Sequence, residues 1–505
     1  MSKYINGQNI FFFLLSSFIL ANNYTSGPIQ TPDSLGYING HEFRPVLYPV
    51  FLDIMELLFG GDNYQMAVII SQAILWLSVS YYVSKELTII FKISTIWIII
   101  LLLISSQNIF YSQYILSEAI AYPVFCLMAL YLFKGVLRGD SKYLSWSMFF
   151  TGILILTRSQ FLFLYSVFLV IFLYIQFFDR HKKHNKNLLI KSFLLLIIST
   201  TIIQKGYNYI KLEKFSSAPA LGSQLIVRPL YLAQEDDYNL FTNKTHQKIF
   251  QETYLTIKKA GLTYNKDPIK KEIKIPDYKL FNGSLNDSNI MHPFLEDHEK
   301  SFHQLWSIDY KNEEIDNSFS AIQDNYIYTR IWATNITTLI NNDITNWYQI
   351  NDTSVTMAII LIKENFGQFL VSWIDSIILF YKGYLGTAII CLSFFGLMIY
   401  QYKKRDDISL AILAVFILSF ANIFSVSLVE ILLKRYSMYT SDFMLTIFCC
   451  ITIKYIMGFH EFFTLSNNTQ EPPTKVDGLI DGIKPDESGS INRFTENKRG
   501  TVRYE

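Results

Sequence analysis

From Ile408 to Val429 the chain carries no charged side chain. A run of that length is what a helix needs to cross a bilayer's hydrocarbon core, about 20 residues at about 1.5 Å each. Nine comparable apolar runs accompany it: Asn9 to Tyr24, Tyr64 to Ser84, Ile93 to Phe110, about Ala119 to Phe133, Tyr143 to Thr157, Phe161 to Phe178, Leu188 to Gln204, Tyr384 to Tyr402 and Phe443 to Met457. The first is short and follows Lys3, as a signal peptide would, but the small-residue pattern before Ala21 suits cleavage poorly, so it reads as a retained span. With 51% hydrophobic and only 17% charged residues, the expected fold is an all-α multi-pass membrane protein of about ten transmembrane helices.

Lysine and arginine collect on the cytoplasmic side of membrane proteins. Here Lys85 and Lys92, then Lys134, Arg138 and Lys142, then Arg180, Lys182, Lys183 and Lys186, then Lys403, Lys404 and Arg405 fall in alternate loops. Both termini then face the cytoplasm. The composition fits a bacterial cytoplasmic membrane, with the working face outward. A net charge of +1 gives no sign of a nucleic-acid partner; the basic residues set topology.

The runs divide the chain into an N-terminal membrane module (1–205), an extracytoplasmic soluble insert of mixed secondary structure (206–366), a C-terminal membrane module (367–458) and a disordered cytoplasmic tail (459–505). The insert, roughly 160 residues, is too long for a structureless loop. Asp352 or Ser354 is placed to cap a helix through Met357 to Ile362. Phe369 to Tyr381 contains Asp375 and is followed by Lys382, so it reads as interfacial. His246, His292, His298 and His303 show no ligand spacing and read as a solvated face; no metal is assigned. Cys126, Cys391, Cys449 and Cys450 lie in apolar stretches as buried thiols, without a disulfide framework. No Walker loop, Gly-x-Gly-x-x-Gly, Cys-x-x-Cys or His-Glu-x-x-His occurs, which leaves ATP, dinucleotide and zinc-peptidase chemistry without support.

The first outside loop reads Thr31-Pro-Asp-Ser-Leu-Gly-Tyr-Ile-Asn-Gly-His-Glu-Phe-Arg-Pro45. It sets Asp33 in a turn and Arg44 at the start of a helix. In that helix Leu47, Val50, Phe51, Ile54, Met55 and Leu58 share one face with Asp53 and Glu56 off it, as in a helix lying along the interface, and Gly60-Gly61 would end it. Four further outside residues flank spans. Glu118 opens the fourth in Leu116-Ser-Glu-Ala-Ile-Ala-Tyr122, Arg158 closes the fifth in Leu156-Thr-Arg-Ser-Gln160, and Glu430 and Arg435 border the ninth in Val429-Glu-Ile-Leu-Leu-Lys-Arg-Tyr436. Charges at membrane depth are costly unless paired, so each alone fits a packing salt bridge. Together on one face, beside a soluble insert, they fit a shared polar cavity.

These features in this order resemble the polytopic glycosyltransferases of the GT-C fold: a Pro-Asp-Ser loop, Arg-Pro before an interfacial helix, Ser-Glu-Ala before a span, Thr-Arg-Ser-Gln between spans, and a late Lys-Arg-Tyr. The group includes the dolichyl-phosphate mannosyltransferases, protein O-mannosyltransferases and aminoarabinose transferases. The resemblance runs from about Ile10 to Met457, with Lys211 to Asn351 adding little. It implies transfer of a sugar from a polyprenyl-phosphate donor to a glycan, lipid or protein acceptor on the outer face.

In that reading Asp33 is the general base, and Arg158 and Arg435, with Arg44 as a third, hold the donor phosphate. Glu118 orients an arginine, binds acceptor or shares a divalent cation with Asp33, and Glu430 is grouped with it. The group often has a second acid beside the first-loop aspartate, whereas Ser34 follows Asp33 here, so no cofactor is assigned. Two other readings stand beside it. An O-antigen-type polymerase or ligase would rest on Arg158, Arg228 or Arg435, and a lipid or polysaccharide transporter would need midplane charges and repeats.

Overall fold

Thr31 and Ser34 bind each other reciprocally: the Ser34 backbone N–H donates to Thr31 Oγ1 at 3.3 Å, and the Thr31 N–H donates to Ser34 Oγ at 2.8 Å. That is a capping box, with Pro32 at the first helical position, where its missing N–H costs nothing. Thr-Pro-Asp-Ser is therefore a helix start and not the expected turn. Asp33 falls in the first turn of a short helix, where the helix dipole favours a carboxylate.

The computed structural model describes residues 2–39, 44–61, 63–105, 111–177, 185–217, 222, 225–259, 347–380, 384–404, 407–429, 439–440 and 443–453. Helix α1 covers Ser2–Ser26, α2 Pro32–Ile38, α3 Leu47–Phe59, α4 Tyr64–Phe91, α5 Thr95–Ser105, α6 Glu118–Arg138, α7 Ser141–Thr157, α8 Leu164–Phe177 and α9 Lys186–Leu212. After these come α10 Val227–Leu232, α11 Lys244–Lys259, α12 Trp347–Glu364, α13 Phe366–Phe380, α14 Tyr384–Lys404 and α15 Asp407–Val429, and a final short apolar helix, α16, Phe443–Ile453. Two 3-10 helices, Ser159–Phe163 and Glu235–Leu240, complete the described elements. No strand occurs among the described residues.

Among the described residues four helical segments are long and apolar enough to cross a membrane: α4, α6, Lys186–Lys211 of α9 and Ser409–Leu428 of α15. Helices α12 and α13, bent by 96° at Asn365, would make a fifth if counted as one broken span. Ser159–Ile175, Thr387–Tyr400 and Phe443–Ile453 are shorter apolar helices. Helix α1 is 25 residues long, but its asparagines, glutamine and serines dilute its apolar face.

Helix α6 is the centre of the bundle, with packing against α4, α7 and α15. Gly139 ends it in the left-handed region, φ 64°, and Asp140 caps α7 by accepting from the Lys142 N–H at 2.8 Å, so the two helices turn back on each other. Ser147 of α7 donates to the Met128 carbonyl of α6 at 2.8 Å, a polar tie between buried faces. Near the Gly139 end, buried Lys134 pairs with Glu86 of α4 at 2.7 Å, and its ammonium lies 4.6 Å from the Tyr143 ring centre. Glu118 makes an ion pair at the opposite end.

Helix α3 ends at Gly60, φ 78°, whose N–H reaches the Glu56 carbonyl. Its rotation buries Tyr48, Pro49 and Leu52 and leaves Ile54, Leu57, Leu58 and Phe59 exposed, Ile54 and Leu58 among them from the apolar face read in the sequence. The rotation follows from Tyr48, whose hydroxyl donates to Gln72 of α4 at 2.7 Å and fixes which side faces inward. The expected caps Asp352 and Ser354 lie inside α12, which starts five residues before Asp352 at Trp347, and Ser354 bonds the Ile350 carbonyl one turn back.

In the insert, 225–259 and 347–364 share a core of their own, including Ile226, Leu230, Phe250, Ile350, Met357 and Leu361. Gly222 closes it: its N–H donates to Asn351 Oδ1 at 2.8 Å, and a Cβ there would collide with the Asn351 carbonyl. Arg228 of α10 reaches from this core to α13 and α15, with bonds to Ser372 Oγ at 3.1 Å and to the Ser427 carbonyl at 2.7 Å. Ser427 lies in the last turn of α15, where carbonyls lack helical partners and a cation is favoured. Trp373 Nε1 donates to Ser427 Oγ at 2.8 Å. His292, His298 and His303, Asp375's side chain and the 459–505 tail lie outside what the structure describes.

Candidate functional site

The link before α6 is held from three sides. Ile29 forms a parallel bridge with Tyr114, the Ile29 N–H donating to the Gln113 carbonyl at 2.9 Å and the Ile115 N–H returning to Ile29 at 3.1 Å. Asn23 of α1 donates to Ser112 Oγ at 2.9 Å. Gln72, buried in α4, donates to the Ser112 and Tyr114 carbonyls at 3.1 and 3.0 Å while accepting from Tyr48. A buried amide with every polar group used rigidifies what it holds. The first loop and the start of α6 are thus one built unit.

On that unit sits Ser117. Its Oγ lies 2.6 Å from the Tyr37 hydroxyl, accepts from Arg158 Nη1 at 3.2 Å and approaches Glu118 Oε2 at 3.4 Å. A serine hydroxyl has one proton and two lone pairs. With Arg158 donating and Glu118 accepting, Tyr37 donates and all three are used.

Glu118 itself is 2% exposed and pairs with Arg158 Nη1 at 2.5 Å, the arginine being 13% exposed. The pair joins the first turn of α6 to the residue that ends α7, since Arg158 is extended, φ −150°, with its N–H on the Leu154 carbonyl. Arg158 Nε donates to Gln160 Oε1 at 3.2 Å. In a low-dielectric setting such a pair holds only with supporting hydrogen bonds, which Ser117 and Gln160 supply.

Arg44 joins the same junction by a different contact. Its guanidinium lies 4.4 Å from the Tyr37 ring centre, a cation–π distance. It also lies close over Gly36, where a Cβ would meet Nε at 3.0 Å. Gly36 and Tyr37 of α2 therefore form its bed. Arg44 precedes α3 by three residues and does not start it.

Of the six candidates, Arg44, Glu118 and Arg158 meet around Tyr37 and Ser117. Asp33 is on α2, four residues before Tyr37, with only its backbone described. Glu430 and Arg435 lie outside the described residues. Sequence reasoning missed Tyr37, Ser117, Gln72, Gln160 and Tyr439. Tyr439 is fully buried; its ring lies 5.1 Å from Phe161 and 6.0 Å from Phe125, and its hydroxyl feels the charges of Arg158 and Glu118. For Gln72 a signal existed, an amide inside an otherwise apolar span. Among the described residues no three His, Cys, Asp or Glu side chains are grouped to hold a metal.

The arrangement brings the Arg44 and Arg158 guanidinium groups to the Tyr37 and Ser117 hydroxyls and the Glu118 carboxylate, groups of the kind that hold an oxyanion. Comparison of the chain with protein-family models, with curated proteins and with solved structures finds no match.

Proposed function

We propose that this chain is an integral-membrane glycosyltransferase of the GT-C type, with about ten spans, moving a sugar from a polyprenyl-phosphate donor to an acceptor on the extracytoplasmic face. The observation that carries the reading is the meeting of Arg44, Glu118 and Arg158, from three separated parts of the chain, at one end of the α6/α7 pair. A carrier's tail would stay in lipid while its phosphate reaches these cations.

In this mechanism Arg158 and Arg44, with Arg435, stabilise the charge that develops on the departing lipid phosphate. Asp33 takes the acceptor's proton as its oxygen attacks the sugar's anomeric carbon, a contribution of typically about 100- to 10,000-fold. The bond from that carbon to the phosphate oxygen breaks, and the lipid phosphate leaves as an anion. Glu118 keeps Arg158 oriented until the phosphate arrives.

The test is transfer of radiolabelled sugar from a polyprenyl-phosphate donor by membranes holding wild type or Asp33→Asn at matched levels. Transfer by wild type alone supports the reading. Equal transfer by both removes Asp33 as the base, and no transfer from any of several polyprenyl-phosphate donors removes the reading itself.

A further inference from the structure

Two buried polar atoms beside the Glu118–Arg158 pair have no hydrogen-bond partner among the described residues: the Tyr439 hydroxyl and Gln160 Nε2. Buried polar groups in folded proteins are nearly always satisfied, so a group left over next to a charged site points to something that completes it. The Gln160 amide is not free to turn its other end there. Arg158 Nε needs an acceptor and takes Gln160 Oε1 at 3.2 Å, which fixes the NH2 on the opposite side. Tyr439 is fixed too, since its ring is 0% exposed and packs edge-on against Phe161, the residue after Gln160. Burial pushes the phenol pKa well up, so the hydroxyl keeps its proton and serves as a neutral donor.

Both orphans are donors: Gln160 carries its NH2 on the amide whose oxygen takes Arg158 Nε, and the Tyr439 hydroxyl lies within the field of Arg158 and Glu118. Donors grouped around a cation suit an oxyanion and not a second cation. The Glu118 carboxylate already balances Arg158, so a bound anion needs further positive charge, which Arg44 brings through the Tyr37 face.

Resting on the lipid-phosphate reading above, we propose that Tyr439 Oη and Gln160 Nε2 are phosphate-binding donors that complete an oxyanion site on Arg158. Tyr439 in particular holds the lipid phosphate through a hydroxyl that has no partner among the described residues.

The signature is a split between stability and binding. Tyr439→Phe deletes an unsatisfied oxygen and keeps the ring, so the ligand-free protein melts at the same temperature or higher. A hydrogen bond to a charged group is lost only when phosphate is bound, a loss of about ten-fold or more in affinity. Gln160→Glu keeps the acceptor for Arg158 and replaces the donor with a negative charge, which should weaken binding further.

The experiment measures binding of three probes to the full chain in nanodiscs: a polyprenyl phosphate, the matching polyprenol and inorganic phosphate. Tyr439→Phe and Gln160→Glu should lose affinity for polyprenyl phosphate and leave polyprenol unchanged; a parallel loss for inorganic phosphate would place the recognition in the phosphate alone, and its absence in phosphate with its lipid. Wild-type affinity for polyprenyl phosphate in both variants overturns the proposal, with the orphan atoms then satisfied by water. Failure of wild type to bind polyprenyl phosphate at all removes the glycosyltransferase reading on which the proposal rests.

Discussion

Ser117 Oγ stands 2.6 Å from the Tyr37 hydroxyl, which makes one short side chain the joint between α2 and the Glu118–Arg158 pair. The joint holds because Ser117 uses both lone pairs and its proton, so a replacement without a hydroxyl leaves more than one neighbour unsatisfied.

Ser117→Ala should therefore destabilise more than Tyr37→Phe. The phenylalanine variant gives up one buried hydrogen bond, about 1 kcal/mol, whereas alanine leaves both Tyr37 and Arg158 short of an acceptor. Thermal unfolding of both variants in detergent checks the order, and a Tyr37→Phe that melts lower than Ser117→Ala would refute it.

The buried pair gives a second expectation. Glu118→Gln and Arg158→Met each leave one charge or its partners uncompensated, at about 3–5 kcal/mol apiece, while the double variant should cost much less than the sum. A double-mutant cycle on unfolding measures the coupling directly, and additive losses would show that the two side chains act independently.

Gly36 supports Arg44 by having no side chain. With a Cβ only 3.0 Å from Arg44 Nε, Gly36→Ala must move the guanidinium by a few tenths of an ångström. Stability should change by less than about 1 kcal/mol, because the displaced group is the end of a flexible side chain. Donor affinity should fall several-fold, and unchanged affinity alongside a weakened Arg44→Ala variant would mean that Arg44 tolerates the shift.

In the insert, burial lowers the His246 pKa below the ordinary value of 6.5. The folded state thus resists protonation that the unfolded chain accepts, so the contribution is intact above the unfolded pKa and is lost as pH falls through the folded one. Hydrogen exchange in α11 should quicken as the medium is acidified, and His246→Phe, which keeps the edge contact with Phe241, should flatten that dependence. A profile identical in wild type and variant would assign the acid response to other groups.

Much of this was legible in the sequence where a single chemical rule decides. Gly60 ends α3 and Glu118 opens α6 because a glycine and an N-terminal acid suit those positions whatever surrounds them. Arg158 closes α7 where the apolar run stops. The packed side of α3 was not legible, since its apolar residues nearly encircle it and the Tyr48–Gln72 bond selects among them. Thr31 to Ser34 was ambiguous in principle: the same four residues serve a turn or a capping box, and only the chain after them chooses. Tyr439 was hidden for another reason. An aromatic in an apolar setting looks like core filling until the direction of its hydroxyl is known.

Helix α6 is bolted at both ends. Glu118 and Lys134 lie sixteen residues apart, a helical rise of about 24 Å, and each is buried against a partner on a different helix. A helix clamped that way cannot travel lengthwise like a piston, because any slide would strand two charges in hydrocarbon at once. On the proposed function, a phosphate arriving beside Arg158 would be accommodated by side chains trading partners around a stationary axle, and the face where Lys134 sits should feel nothing of it.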